Sequence, residues 1–89
     1  MFHKYFAEFL GTCFFVFVIL TTQNYLAIGA ALALVIFLFK DNSAGHVNPA
    51  VSIVMASLGK IHMNDLFPYI LAQIFGALTA LELYKRFYM

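Results

Sequence analysis

The 89-residue sequence allows one small domain at most, and 64% of it is apolar while only 10% is charged. Its mean hydropathy is +0.91. A small soluble protein needs a largely polar surface, so this composition excludes a soluble monomer and predicts an integral, multi-pass membrane protein with the lipid bilayer as its solvent. The net charge of +1 offers no basic patch for phosphate groups and excludes a nucleic-acid partner.

Three apolar segments predict membrane helices, at residues 5–20, 25–39 and 66–83. At 1.5 Å per residue each is roughly 22 to 27 Å long, slightly short of a hydrocarbon core of about 30 Å. The aromatic residues at the segment ends must therefore reach the interface. The first segment follows Lys4, as in a signal peptide, but no small-residue cleavage site follows before Thr21, which indicates a retained helix.

Small residues recur at four-residue spacing in two of the predicted helices. Gly29 precedes Ala33 in the second segment, and Gly76 precedes Ala80 in the third. Pairs of this kind let helices approach closely in lipid, although an alanine-rich helix also produces them by chance.

The composition changes between the second and third apolar segments. Asn48 is a favoured N-cap and Pro49 is tolerated at the first helical position, so a helix is predicted to start there. Gly59 and Lys60 are a glycine and a cation of the kind that end a helix, near residue 58. A helix of this length is about 15 Å long, which is half a membrane, and it cannot span.

Two interpretations of residues 40–65 follow. In one, the segment is a surface loop with an amphipathic helix; in the other, it re-enters the membrane and lines a polar path. An interfacial helix needs a charged face, which residues 49–58 lack. A helix that is apolar on nearly all sides is buried, and irregular backbone at membrane depth survives only inside protein or beside a water-filled cavity. The pattern therefore favours the re-entrant loop.

Three blocks of sequence resemble the aquaporin family. The stretch SAGHVNPAVS, residues 43–52, is similar to the family's first Asn-Pro-Ala loop. AEFLGT, residues 7–12, resembles the start of its first helix, and YILAQIFGA, residues 69–77, resembles its third. Order and spacing match one half of an aquaporin over essentially the whole chain. Two features depart from the family: Ala44-Gly45 reverses its common Gly-Ala order, and a second half, with another Asn-Pro-Ala followed by arginine, is missing from this sequence.

The resemblance implies an all-α integral membrane fold with three transmembrane helices and one re-entrant half-helix, equivalent to one inverted repeat of the aquaporin fold. Residues 1–89 then form a single domain, with helices at about 4–21, 25–40 and 64–85 and the re-entrant loop and half-helix at about 43–58. In the family two inverted halves meet at the membrane centre. Because one chain supplies one half, the hypothesis is an antiparallel homodimer, and four such dimers could assemble together.

The charges are compatible with insertion in both orientations. With the family's topology three cations lie inside, namely Lys4, Lys40 and Lys60, while Lys85 and Arg86 lie outside. Three against two is a weak positive-inside bias, which an inverted homodimer requires. The alternative, that so few charges carry no information on topology, stays open.

The resemblance implies a passive channel for water, small neutral solutes or both. The residues that it assigns to the pore are Asn48, Pro49 and Ala50, with the carbonyls of Ala44, Gly45 and His46 as acceptors. The Asn48 side-chain oxygen can cap its own helix and leave the amide hydrogens to a passing water or hydroxyl. Two half-helix N-termini, each equivalent to about +0.5 charge, raise the barrier for cations and protons.

Two polar residues in apolar helices are expected to support the loop. Glu8 is ionisable and expensive in lipid, so it should be functional or partnered unless it lies near enough to the surface to snorkel. In the family the matching glutamate accepts hydrogen bonds from the loop backbone, and a glutamine matching Gln73 supports the loop likewise. His46 is open to two roles, as a structural hydrogen-bonding group or as a pore-lining group.

The resemblance places the selectivity filter at two apolar residues. Ile28 stands where the family has an aromatic filter residue, twenty positions before the asparagine. In a homodimer Ile28 would occur twice, and Val51 would replace the filter arginine. An apolar constriction passes small neutral molecules less discriminately or dewets, so water, polyols and dissolved gases all remain open as permeants.

The remaining reactive side chains are not expected to form a chemical site. Cys13 stands alone in an apolar run and is expected to be a small buried hydrophobe. His3 and His62 have no ligand cluster around them, so neither a metal site nor a cofactor is expected. An enzyme is disfavoured because no nucleophile lies beside a base. The alternatives are a non-conducting structural or interaction membrane protein built on the same half-fold, and a holin-like permeabilising protein.

Overall fold

The computed structural model describes residues 3–89, which form helices and no strands. The α-helices are α1 at Lys4–Thr21, α2 at Tyr25–Phe39, α3 at Pro49–Ser57 and α4 at Leu66–Tyr88, with a 3-10 turn at Met63–Asp65. The described residues extend over 40 Å along their longest axis. This length is close to the thickness of a bilayer with its headgroup regions, about 40–45 Å.

The short helix α3 has defined signals at both ends. Asn48 Oδ1 accepts a hydrogen bond from the Ala50 N–H at 2.8 Å, and proline occupies the first helical position. At the other end Gly59 adopts a left-handed φ of 77°, and the Lys60 N–H donates to the Met55 carbonyl at 2.8 Å. This is the hydrogen-bond pattern of a Schellman motif, which satisfies carbonyls at a helix end.

Contacts at their two ends show that α1 and α4 run in the same direction. At one end Lys4 Nζ lies 2.6 Å from Asp65 Oδ2, next to the start of α4. At the other end the rings of Phe17 and Tyr88 meet edge to face, with centroids 5.8 Å apart. The connection through α2 returns the chain to the Lys4 end, where Phe39 packs with Ala7. Residues 40–65, which include α3, therefore leave and return on the side where α1 starts, while the start of α3 lies beside Thr12 and Val16 in the middle of α1.

Close packing of α1 on α4 depends on Gly76. A Cβ atom at this position would lie 2.5 Å from the Phe9 carbonyl oxygen and 3.1 Å from Thr12 Cβ. Backbone cannot move away as a flexible side chain could, so only glycine fits. The small-residue pair of α4 thus lies in the α1–α4 contact, where Ala80 is fully buried, whereas Gly29 of α2 has open space around it within one chain.

Two helical stretches of the described chain, Lys4–Thr21 and Met63–Tyr88, are long and apolar enough to cross a membrane, and Tyr25–Phe39 is a shorter apolar helix. The last helix continues to Tyr88, past the expected end near residue 85. The Tyr84 and Tyr88 rings stack one turn apart with centroids 5.6 Å apart, and basic residues in the last turn suit the helix dipole.

We predict that Gly76→Ala lowers the free energy of unfolding by about 1–3 kcal/mol, because the added methyl group forces α1 and α4 apart. The matched control is Gly29→Ala, which meets no atom within 4 Å in the same chain. It should leave stability unchanged or raise it by up to about 1 kcal/mol through helix propensity. Thermal unfolding in detergent measures both variants, and equal behaviour of the two would contradict the packing argument.

A polar cluster ties the start of α1 to the turn before α4. Besides the Lys4 ion pair, Asp65 accepts a hydrogen bond from the Tyr5 hydroxyl at 2.5 Å. Donation from Lys4, followed by that from Tyr5, lowers the pKa of the Asp65 carboxyl. A carboxyl whose pKa is lowered in the folded state stabilises the fold above its unfolded pKa, and this contribution is lost as the pH falls through the folded pKa.

The unfolding temperature should therefore drop as the pH is lowered from about 5 through the acid range, where carboxyl groups take up protons. Asp65→Asn should remove this part of the pH dependence, and Asp41→Asn, a substitution in the exposed loop after α2, should retain it. Calorimetry across this pH range measures the difference. An unchanged pH profile in Asp65→Asn would show that the cluster does not stabilise the fold.

Candidate functional site

The loop that leads into α3 has an unusual backbone. Ala44, Gly45 and Val47 all have positive φ values, of 75°, 65° and 44°. A left-handed conformation is costly for residues with a Cβ atom, and most so for a β-branched residue such as Val47. Ala44 is exposed, whereas the loop residues on either side of it, Ser43 and 45–47, are buried. Such a backbone persists only where the surroundings hold it in place.

The Glu8 carboxylate provides that hold. Its Oε2 accepts from Ser43 Oγ at 2.7 Å and from the His46 N–H at 3.0 Å. Its Oε1 accepts from the Val47 N–H at 2.8 Å and from Gln73 Nε2 at 2.9 Å. Glu8 is fully buried, and an ionised carboxylate, which only accepts, can receive all four bonds. These donors compensate the buried charge and bend the loop around it.

A second layer of polar groups surrounds this contact. Gln73 Nε2 also donates to Ser52 Oγ at 2.9 Å, and Ser52 Oγ lies 2.9 Å from His46 Nδ1. The Tyr69 hydroxyl donates to the Ser43 carbonyl at 2.9 Å. The sequence did not predict roles for Ser43 or Ser52. Tyr69 was counted among the aromatic residues at the segment ends that reach the interface, and this expectation is wrong because the structure buries it. Ser52 was the most accessible to prediction, since it lies one turn after the helix start in an otherwise apolar stretch.

An open groove of about 670 Å³ lies between α2, the loop and α3, and we call it the loop groove. Its lining residues are Phe15, Leu32, Ile36, Ala44, Gly45, His46, Val47, Asn48, Val51, Met55, Lys60 and Ile61. The groove is mostly apolar, with polar groups confined to the loop, the start of α3 and the Lys60 end. The fold thus brings together five of the predicted site residues, which are Ala44, Gly45, His46, Asn48 and Val51.

Three predicted pore residues lie elsewhere. Ile28 does not line the loop groove; Leu32 and Ile36 do, and they follow Ile28 on the same face of α2 by one and two turns. Pro49 lines a smaller groove beside Thr12, on the α1–α4 side of the half-helix. Ala50 is exposed on the outer side of α3. A single chain therefore does not place Ile28 beside Val51.

The other two histidines act as helix caps. His3 Nδ1 accepts from the Tyr5 N–H at 3.2 Å, and His62 Nδ1 accepts from the Asn64 N–H at 3.1 Å. Among residues 3–89 no three His, Cys, Asp or Glu side chains are grouped to hold a metal ion. Cys13 is half-buried in an apolar groove between α1 and α4.

The arrangement of a glutamate on α1, a glutamine on α4 and an Asn-capped half-helix agrees with a family match over the whole chain. The profile of the family described as "MIP: Major intrinsic protein" matches residues 1–89. The chain belongs to the major intrinsic protein family. The aquaporin resemblance seen in the sequence is therefore confirmed.

Curated relatives support the same family. The chain is 42% identical to the glycerol uptake facilitator protein-like 6 of Lactiplantibacillus plantarum over 94% of this chain and 43% of that protein. It is 36% identical to aquaporin-8 of Notomys alexis, over 88% of this chain and 34% of that protein. For aquaporin Z of Brucella melitensis the identity is 34%, over 90% and 42%. No solved structure matches the chain significantly.

Family membership confirms two of the sequence predictions. Aquaporin relatives are integral membrane proteins, and the helices of this chain are apolar enough to span a bilayer. The relatives are channels and not enzymes. The chain spans less than half the length of the three relatives it was compared with above.

The four bonds to Glu8 predict a large effect of a conservative substitution. Glu8→Gln replaces one carboxylate oxygen by an NH₂ group that faces donors, so it should lower the free energy of unfolding by about 3 kcal/mol or more. The same substitution at exposed Glu82, which lies 3.6 Å from Lys85 one turn away, should change stability by less than about 0.5 kcal/mol. Thermal unfolding in detergent compares them, and a tolerated Glu8→Gln would contradict the assigned role.

Proposed function

We propose that the chain is a passive membrane channel for water, small neutral solutes or both, whose pore forms between two antiparallel copies. The observation that carries the proposal is the loop groove, an open trough beside an exposed half-helix N-terminus rather than a closed tube. A second copy can supply the missing wall. The names of the relatives, which include a glycerol uptake facilitator protein-like protein and several aquaporins, support the choice of permeant.

The length of α3 supports pairing at the membrane centre. Its nine residues rise by about 14 Å, roughly half of a 30 Å hydrocarbon core. Asn48, Pro49 and Ala50 at its start are exposed in a single chain. An inverted second copy would bring its own half-helix from the opposite side, so that the two starts meet in a two-fold, self-complementary contact. Four such dimers could then assemble as one unit.

The proposed topology has α1, α2 and α4 crossing the bilayer while α3 re-enters it. The fifteen residues of α2 rise by about 22 Å, so its ends must extend the span. Tyr25, at one end, is 80% exposed, and Lys40, at the other, places Nζ over the Phe37 ring at 5.1 Å from its centroid. Both are suited to an interface, where amphipathic rings and snorkelling lysines are favoured.

Charge distribution supports insertion in both directions. Helix directions put Lys4, Lys40 and Lys60 at one end of the fold and the basic residues of the last turn of α4 at the other. The difference is one positive charge, three against two, so the positive-inside preference is weak. An antiparallel pair needs this balance, because both copies come from the same sequence.

The mechanism follows from fixed donors and acceptors in single file. Asn48 Oδ1 is occupied by its own helix cap, which leaves the amide hydrogens free to donate to water or a hydroxyl group. Carbonyls of Ala44, Gly45 and His46 are the acceptors of the same trough. Two facing helix N-termini disfavour cations and protons. The filter would contain Ile28 twice, with Val51 in the place of an arginine, and would pass neutral molecules only.

Osmotic shrinkage of proteoliposomes in a stopped-flow instrument tests conduction. The purified chain should accelerate shrinkage without proton or dye leak, and Ile28→Trp should reduce the rate several-fold while assembly is retained. The matched control is Leu34→Trp, on the same helix but on a different face from Ile28. No acceleration with intact dimers would favour the non-conducting structural protein, and dye leak would favour the holin-like alternative.

The antiparallel arrangement has a separate test. Cys13→Ala removes the native thiol, and Met89→Cys adds one at a residue that is 84% exposed. An impermeant reagent added outside sealed vesicles should label about half of the molecules if both orientations insert. Labelling of all molecules, or of none before the vesicles are opened, would exclude the inverted homodimer.

A further inference from the structure

We propose that Ser52 is a positioning residue: it fixes the neutral His46 ring so that its Nε2–H is a hydrogen-bond donor to the loop groove. The fixation comes from a relay of hydrogen bonds that starts at Gln73. The inference deepens the proposed function and rests on it, because a donor in the groove matters only if a solute passes along it.

The direction of the relay is set at the Gln73 amide. Gln73 Nε2 lies 2.9 Å from Glu8 Oε1 and 2.9 Å from Ser52 Oγ. An amide nitrogen donates two hydrogens and accepts none, so both bonds run outward from Gln73. The opposite amide orientation would put an oxygen against the carboxylate. In the observed orientation the amide oxygen is buried and has no hydrogen-bond partner among residues 3–89, so the contact between Nε2 and the Glu8 carboxylate decides the orientation.

Ser52 passes this direction on to the histidine. Its hydroxyl accepts from Gln73 and is fully buried, 2.9 Å from His46 Nδ1. The hydroxyl has one hydrogen to donate, and among residues 3–89 its only remaining polar contact is His46 Nδ1. If His46 donated instead, the Ser52 hydrogen would stay buried without an acceptor, which carries the full desolvation cost. Ser52 is therefore the donor and Nδ1 the acceptor.

The tautomer of His46 follows directly. A neutral imidazole carries one hydrogen, and since Nδ1 accepts, the hydrogen is on Nε2. The Tyr69 ring packs against the imidazole at 5.1 Å between centroids and limits its rotation. His46 is among the residues that line the loop groove, and its Nε2 makes no hydrogen bond to residues 3–89. Nε2 is also absent from the buried side-chain atoms that lack a partner, so it reaches the surface. Nδ1 points to Ser52, so Nε2 is the nitrogen offered to the groove.

A fixed neutral donor selects permeants by hydrogen bonding. The groove then holds the Nε2–H donor of His46 among the carbonyl acceptors of the loop, together with the Asn48 amide at the start of α3. A water molecule or the hydroxyl of a polyol can accept from it, whereas a dissolved apolar gas gains nothing. Because the ring is neutral in this tautomer, the donor adds no charge that would draw in anions.

Nitrogen-15 solid-state NMR of the labelled protein in liposomes tests the relay without any transport assay. Comparison with His46→Gln assigns the His46 signals among the three histidines. Wild-type protein should show an unprotonated, hydrogen-bonded Nδ1 and a protonated Nε2. A proton on Nδ1, whether in the other tautomer or in a doubly protonated ring, would overturn the proposal.

Two serine variants separate positioning from general stability. Ser52→Ala should move the Nδ1 resonance toward the value of an unbonded nitrogen, and Ser52→Thr, which keeps a hydroxyl, should restore it. The matched control Ser57→Ala removes an exposed hydroxyl of the same helix that donates to the Ile53 carbonyl at 2.8 Å. It should leave the His46 signals unchanged. An Nδ1 resonance unaffected by Ser52→Ala would refute the relay; if Ser52→Ala fails to fold, the wild-type and Ser52→Thr spectra decide.

The same variants connect the relay to conduction. Ser52→Ala should lower water permeability by roughly two- to tenfold, the effect of one weakened hydrogen bond, while Ser57→Ala and Ser52→Thr stay near wild type. If Ser52→Ala is as permeable to water as the wild type, while the wild-type NMR spectrum shows the expected His46 tautomer, then His46 does not act as a donor to the permeating molecule. Failure of wild-type protein to conduct would instead refute the proposed function, and the NMR result would still stand.

Discussion

The buried carboxylate of Glu8 is the constraint on which the rest of the structure depends. A fully buried charge is tolerated only if hydrogen-bond donors surround it. Three of the four donors to Glu8 belong to the loop before α3, and the fourth belongs to α4. One residue thus sets the depth of the loop, the rotation of α4 and the path of the chain before α3. Gly76 permits this geometry, because α4 must approach α1 within backbone contact for Gln73 to reach Glu8.

Local signals in the sequence were enough to predict the helices and their ends, but not the contacts that the helices make with one another. The asparagine cap, the following proline and Gly59 each act within a few residues, so the ends of α3 were readable from the chain alone. The partners of Glu8 are 35 to 65 residues away in sequence, and periodicity says nothing about such distances. The family resemblance supplied the expectation for Glu8 and Gln73. The contacts of Ser52 and Tyr69 depend on how α3 and α4 rotate against each other, which neither source specified.

The same distinction applies to the residues expected around the pore. His46 was left between a structural and a lining role. One ring nitrogen contacts Ser52, and the residue is among those that line the loop groove, while a role in a pore stays a prediction. Ile28 was assigned by counting from the asparagine. In the structure Ile28 lies outside the loop groove, which Leu32 and Ile36 of the same helix line instead.

The hydrogen bonds of the loop backbone explain what its left-handed residues achieve. Every buried N–H and C=O needs a partner, and a buried loop has no sheet or helix of its own to provide it. Here the N–H groups of His46 and Val47 turn inward to the Glu8 carboxylate, while the carbonyls of residues 44–46 accept no bond within residues 3–89. Left-handed conformations on both sides of His46 make this separation possible. The left-handed conformations therefore divide the loop into a donor side that the Glu8 carboxylate holds and an acceptor side whose carbonyls residues 3–89 leave unbonded.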